Sequence, residues 1–128
     1  MKVEVSGAIE ELKRQFDTCV FTLRDDGQGG AYVIMEPVQL GSRYRPEHTW
    51  VGFHIPAQYP YADIYPVFIG GDLRRAGGGT FVAPVTPGHQ FEGRSAIQVS
   101  RRSGAAQNGQ QKATAKILKV LDFLGKLT

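Results

Sequence analysis

The hydrophobic pattern of this chain has a helical period near both ends and a strand period in between. Near the N-terminus, Ile9, Leu12 and Phe16 recur at helical spacing, and Ser6 precedes them as a candidate N-cap. These positions predict an amphipathic helix over residues 7–17, with its apolar side against the rest of the protein.

A second and clearer helical pattern covers residues 112–126. Its predicted buried face consists of Ala113, Ile117, Val120, Leu121 and Leu124. Lys112, Lys116 and Lys119 fall on the other side of the helical projection, so we expect these three lysines to face solvent.

Runs rich in β-branched and aromatic residues predict four strands between the helices, over residues 18–24, 31–40, 48–55 and 67–69. Short segments rich in glycine and polar residues separate the first three runs, which is typical of an antiparallel meander. In the third strand, Val51, Phe53 and Ile55 alternate with polar or small residues and predict one buried face. Pro37 predicts an edge position or a bulge near the end of the second strand.

The chain changes character after Gly70, where glycine and proline recur through nearly twenty residues. This composition predicts a long irregular loop, and long ordered loops tend to carry function. A short strand-like piece over residues 96–99 follows, and then a small, polar segment. Helices at the two ends of an antiparallel sheet predict an α+β fold, in one domain over residues 1–128.

The charge and the cysteine content argue against several classes of function. The net charge is +3, with its densest points at Arg74-Arg75 and Arg101-Arg102, whereas nucleic-acid binders more often have a basic stripe with interleaved aromatic residues. No apolar run approaches the ~20 residues of a membrane-spanning helix. Cys19, the one cysteine, provides neither an internal disulfide nor a thiolate cluster for zinc. We therefore expect a cytoplasmic protein with no metal and no cofactor.

The most specific motif lies within residues 49–69. A strand ends in His54-Ile55-Pro56, a turn contains Tyr59-Pro60, and a further strand begins at Tyr65-Pro66. This order resembles the centre of the ubiquitin-conjugating enzyme (E2, UBC-like) fold, and residues 6–124 as a whole are similar to divergent prokaryotic E2-like proteins. The resemblance implies an N-terminal helix, a four-stranded antiparallel meander, a long irregular loop like the E2 active-site loop, and a C-terminal helix.

Residues 89–100, HQFEGRSAIQVS, resemble the active-site stretch of that family. Aligning His89 and Gly93 with the family pattern places the usual cysteine near Ser95, Ala96 or Ile97, none of which is cysteine, and Gln90-Phe91 stand where the family has Pro-Asn. E2 chemistry needs a thiolate as nucleophile and leaving group, and an amide donor for the oxyanion. The resemblance thus implies the scaffold of a conjugating enzyme without its two main chemical groups, which leaves open whether the chain is an enzyme and whether alanine is the native residue at 96.

Two serines within this stretch are candidate nucleophiles. Ser95 or Ser100 could carry a modifier as an oxyester, and His89 is the nearest base in the sequence. The more common interpretation of such residues is that they are surface or strand-end serines.

Candidate partner-binding residues lie in two places. The residues of the Tyr-Pro segment are Tyr59, Pro60, Tyr65 and Pro66. Prolines fix backbone angles and tyrosines fill turns, so these four also have a purely structural interpretation. The Arg101-Arg102 pair is a candidate docking point for the tail of a partner.

The resemblance predicts an E2-like protein of a bacterial ubiquitin-like conjugation system. It implies a ubiquitin-like protein, an E1-like activating enzyme, or both as partners, without a thioester on this chain. Two alternatives stay open: a serine-based transfer enzyme, and a basic nucleic-acid-binding module.

Overall fold

The computed structural model describes residues 1–101 and 112–127. Its helices are α1 (Val3–Gln15) and α2 (Ala113–Lys126). Its strands are β1 (Val20–Asp25), β2 (Ala31–Gln39), β3 (Tyr44–Arg45), β4 (His48–Ile55), β5 (Val67–Gly70), β6 (Arg74–Arg75), β7 (Val85–Phe91) and β8 (Arg94–Val99). No helix in this described part is long and apolar enough to cross a membrane.

Six of the strands form one sheet in the order β1-β2-β4-β5-β8-β7, and every neighbouring pair is antiparallel. The remaining two, β3 and β6, pair with each other in a separate small sheet. An N-terminal helix, an antiparallel sheet and a C-terminal helix confirm the predicted α+β class.

One face of the large sheet, the core face, packs against both helices. The alternation predicted in β4 is confirmed, because Val51, Phe53 and Ile55 are fully buried on this face. The helix residues buried against it are Val5, Ala8, Ile9, Leu12, Ala113, Ile117, Val120 and Leu124. Removing this apolar surface from water is the main driving force for the fold.

The opposite face, the outer face, carries a second and smaller apolar cluster. Its members are Tyr32, Ile34, Trp50, Phe68, Phe91 and Ala96. Two ion pairs border the cluster, Arg24–Glu92 at 2.8 Å and Arg94–Glu36 at 3.0 Å. They join β1 and β2 to the β7–β8 hairpin at the other end of the sheet, so the sheet curls and brings the hairpin tip over this face.

The predicted four-stranded meander is incomplete, because β7 and β8 add two strands. The first half of β7, residues 85–88, was expected within the irregular loop because of Pro87 and Gly88. The structure accommodates both residues in a bulge, where the β7–β8 register shifts between Thr86 and His89. Gly88 has a φ of +88° there, a conformation that glycine adopts without strain. The bulge at Pro37 is confirmed by a register shift between Met35 and Val38.

Two details of the helices were predicted wrongly. Ser6 lies inside α1 and does not cap it, because Val5 is fully buried and extends the helix by about one turn to Val3. Lys116 does not face solvent, since only 5% of its side chain is exposed. The remainder of the predicted α2 pattern is confirmed, except that Leu121 is partly buried.

Candidate functional site

The stretch that resembles the E2 active site forms the β7–β8 hairpin. Ala96 lies opposite Gly70 on β5 and opposite His89 on β7. It is only 1% exposed and packs in the apolar cluster of the outer face. A side chain at this position is therefore screened from solvent and from any large substrate.

The sheet separates Ser95 from His89. Cross-strand partners share a face, so His89 lies on the outer face with Ala96. Ser95 precedes Ala96 and must point to the other face, because successive side chains of a strand alternate. Its carbonyl oxygen accepts a hydrogen bond from Gly71 at 2.9 Å, which ties it to the end of β5. The two residues are not placed to act as a nucleophile and its base.

Ser100 and His89 have different polar partners. The Ser100 hydroxyl oxygen accepts a hydrogen bond from the Gln98 amide at 2.7 Å. His89 Nε2 lies 3.4 Å from Thr86 Oγ1, and its ring meets Phe68 edge-on. Among the described residues, the hairpin thus brings together neither of the predicted serine–histidine pairs.

The Tyr-Pro segment is anchored to the start of α2. Tyr59 is only 8% exposed, and its hydroxyl oxygen accepts a hydrogen bond from the backbone N–H of Ala113 at 3.0 Å. The first N–H groups of a helix have no partner within the helix, so this contact satisfies one of them. Tyr59 therefore has the structural role that was one of its two predicted interpretations.

A buried ion pair provides a second anchor. Lys116 and Asp63 are 3.4 Å apart, with 5% and 8% of their side chains exposed. The Lys116 ammonium also donates to the backbone carbonyl of Arg101 and lies 6.0 Å from the centre of the Tyr65 ring. Burying an ammonium group costs free energy unless it is paired. These contacts therefore hold α2, the Tyr-Pro turn and the segment that follows β8 together.

Between these anchors, the turn presents an exposed ring. Tyr61 is 73% exposed, whereas Pro60, Tyr65 and Pro66 are half-buried. A tyrosine on a fixed turn offers contact area with little entropy left to lose on binding. The sequence analysis did not single out Tyr61, because the Tyr-Pro motif drew attention to its neighbours.

The candidate docking pair at 101 and 102 is only partly described. The Arg101 guanidinium packs over the Phe123 ring of α2 at 4.5 Å. Arg102 lies outside the described residues. The cation–π contact holds Arg101 along the helix, where it remains exposed.

Cys19 has no feature of a reactive thiol. It lies just before β1, half-buried, with its sulfur 3.1 Å from the carbonyl oxygen of Pro37. Burial, and then the negative charge of Asp17, raise the pKa of this thiol and so disfavour the thiolate.

An Asp–His pair at the border of the outer face escaped the sequence analysis. Asp26 lies 2.7 Å from His54 Nε2, and its carboxylate accepts hydrogen bonds from the N–H groups of Gln28 and Gly30. The bond to His54 first, and that to Gln28 next, lower the pKa of Asp26 to about 2. The His54 ring stacks on Tyr32 with centroids 4.5 Å apart. The turn sequence Asp25-Asp26-Gly27 was a local signal for the hydrogen bonds from backbone N–H groups to Asp26, but nothing in the sequence pointed to His54 as its partner.

No group of three or more potential metal ligands occurs in the described ranges. His48 and His54, on the same side of β4, therefore lack the further ligands that a zinc site requires. Comparison of the chain with models of protein families, with curated proteins and with solved structures finds no match in any of the three.

Proposed function

We propose that this chain is an E2-like protein of a bacterial ubiquitin-like conjugation system. It binds the ubiquitin-like modifier, its E1-like activating enzyme, or both, and it does not carry the modifier as a thioester. The sequence of residues 49–69 supports the family, and the α+β arrangement of helix, antiparallel sheet and helix is compatible with it.

The non-catalytic part of the proposal rests on the burial of Ala96 and on the placement of Ser95 and His89 in the β7–β8 hairpin. Ala96, near the position that the resemblance assigns to the family's cysteine, is 1% exposed. Ser95 and His89 lie on opposite faces of the sheet, by the register of β7 and β8. A nucleophile needs its base within hydrogen-bond reach, so the register argues against Ser95 with His89 as its base.

The binding part rests on the Tyr-Pro turn. Tyr59 and Lys116 hold the turn against α2, and Tyr61 protrudes from it with 73% of its surface exposed. Tyrosine is enriched among the residues that dominate binding energies, and a preformed turn reduces the entropic cost of association. We assign the centre of the partner surface to Tyr61.

Isothermal titration calorimetry with the ubiquitin-like protein and the activating enzyme of the same genome tests this proposal. Tyr61→Ala should weaken binding by about tenfold or more, as expected for a central tyrosine. Val3→Ala is the matched control, because Val3 is an 84% exposed apolar residue on α1 and should have no effect. Failure of the unchanged protein to associate with either partner would contradict the proposal.

A chemical assay separates binding from transfer. The protein is incubated with the activating enzyme, ATP and the modifier, and no covalent adduct is expected. An adduct that resists thiols but is cleaved by hydroxide would instead support the oxyester alternative, and Ser95→Ala and Ser100→Ala would then identify the residue that carries it.

A further inference from the structure

The small sheet of β3 and β6 gathers arginines that are about thirty residues apart in the sequence. Tyr44 pairs with Arg75 and Arg45 pairs with Arg74, while the N–H of Ala76 donates to the carbonyl of Arg43 at 2.8 Å. Four arginines therefore lie on or next to two strands of two residues each. This cluster, which we call the arginine cluster, comprises Arg43, Arg45, Arg74 and Arg75.

Two adjoining cavities lie against the arginine cluster. The first has a volume of about 570 Å³ and is lined by Arg45, Leu73, Arg74, Arg75, Ala76, Gly78, Gly79, Thr80, Phe81 and Pro87. The second, of about 450 Å³, adds Arg43 and shares Arg75 with the first. Binding sites for small molecules commonly have volumes of ~300–1,000 Å³. No aspartate or glutamate is among the described residues that line either cavity.

The positive charges of the cluster are poorly compensated within the protein. Arg43 donates to the backbone carbonyl of Leu127 at 2.8 Å, and Arg75 donates to that of Thr80 at 3.4 Å. These neutral acceptors offset no charge. Glu47 lies 3.5 Å from Arg45, with both side chains about half exposed. Within residues 1–101 and 112–127, the side chain of Arg74 has neither an ion-pair nor a hydrogen-bond partner.

The charge of the first cavity favours a phosphate over a single carboxylate. Three arginines line the cavity, and Glu47 compensates the charge of at most one of them. A monocarboxylate would leave positive charge unmatched, whereas a phosphate monoester carries about −1.5 to −2 and a polyphosphate carries more. The guanidinium fork also matches phosphate oxygens in bidentate geometry.

The wall of the cavity is apolar on one side. Leu73 is 3% exposed, and Phe81 stacks on the buried Tyr44 with ring centroids 6.3 Å apart. Pro87 also contributes to this wall. A ligand with an organic body can cover these groups while its phosphates meet the arginines. Inorganic phosphate would leave them exposed.

We propose that this cavity binds a small organic phosphate of the nucleoside polyphosphate class. Its phosphates lie between Arg45, Arg74 and Arg75, and its ring system lies against Phe81. A long nucleic acid fits less well, because the net charge of the whole chain is only +3 and the arginine cluster is compact rather than extended. The proposal does not depend on the E2-like function.

Calorimetric titration of the full chain with ATP, pyrophosphate and adenosine tests it. ATP should bind more tightly than pyrophosphate, and adenosine should not bind. Equal affinities for ATP and pyrophosphate would overturn the role of Phe81, and no binding of ATP at millimolar concentration would overturn the site. Binding of a single-stranded oligonucleotide without binding of ATP would assign the cluster to nucleic acid instead.

Variants locate the binding on the cluster. Arg74→Ala should weaken ATP binding about tenfold or more, since a charged hydrogen bond is lost, and Arg74→Lys should recover only part of it because lysine lacks the planar fork. Arg14→Ala, on the last turn of α1, removes the same charge elsewhere and should leave ATP affinity unchanged. Equal weakening by Arg14→Ala and Arg74→Ala would show that only net charge matters and would overturn the site. Arg74 is exposed, so thermal unfolding should confirm that its variants remain folded.

Discussion

The two faces of the large sheet are built in different ways. The core face carries mostly aliphatic side chains that two helices cover, and residues such as Phe53 are fully buried. The outer face carries aromatic rings that cover one another, with Phe68 and Phe91 stacked at 4.9 Å and ion pairs at the border. The two helices bury the core face, whereas the outer face is buried because the sheet curls and brings the β7–β8 hairpin over it. We expect most of the stability to come from the core face.

Replacing one phenylalanine on each face tests this difference most directly. Phe53→Ala should lower the free energy of unfolding by about 3–5 kcal/mol, because it leaves a cavity beneath the helices. Phe68 lies on the neighbouring strand and is half-buried on the outer face, so Phe68→Ala should cost about 1–2 kcal/mol. Urea denaturation measures both values. Equal losses would show that the outer face is a second core of equal weight.

A glycine in β4 tests how closely the hairpin covers the outer face. A Cβ at Gly52 would lie 2.7 Å from two ring carbons of Phe91 and 2.9 Å from Trp50. Gly52→Ala should therefore displace Phe91 and lower the free energy of unfolding by about 1–3 kcal/mol. The fluorescence of Trp50 should change at the same time. Gly77→Ala is the control, because a Cβ there meets nothing within 4 Å; an unchanged stability of Gly52→Ala would mean that the hairpin is loosely packed.

The contrast between the faces also explains what could be predicted from the sequence. The core face follows from local alternation, so β4 and the apolar stripe of α2 were predicted nearly residue for residue. The outer face depends on long-range pairing: Glu36 meets Arg94, and Arg24 meets Glu92, 68 residues away. No local pattern reports such contacts.

The candidate sites show the same limit. The arginine cluster joins two segments through four residues of strand, too short for any periodicity. With 3.6 residues per turn, Lys116 lies at the border of the apolar stripe of α2, where a charged side chain is expected to turn outward, but the ion pair with Asp63 in the Tyr-Pro turn holds it inward. The bulge around Pro87 and Gly88 has the composition of a loop while it continues a strand. In each case tertiary contacts override the local preference.

The hydrogen bond between Tyr59 and the start of α2 provides a further test on the side of the sheet that the helices cover. Tyr59→Phe removes the acceptor for the buried N–H of Ala113 and should lower the free energy of unfolding by about 1–2 kcal/mol. Val82→Ala is the control, because this apolar side chain is 66% exposed, and it should change stability by less than about 0.5 kcal/mol. Equal effects of the two substitutions in thermal unfolding would remove the anchoring role of Tyr59.

The smallest expected effect lies at the border of the outer face, where Asp26 binds His54. The folded-state pKa of Asp26 is about 2, below its ordinary value of 3.8, because the bonds from His54 and from two backbone N–H groups favour the carboxylate. A depressed pKa means that the carboxylate stabilises the fold above about pH 4, and that this contribution is lost as the pH falls toward 2. Asp26→Asn should therefore reduce the loss of stability between pH 4 and 2 in urea denaturation. Asp122→Asn is the control, because Asp122 is an exposed carboxylate on α2 that pairs with Lys126 at the surface. The same flattening by Asp122→Asn would mean that the acid sensitivity reflects overall charge and not the contact with His54.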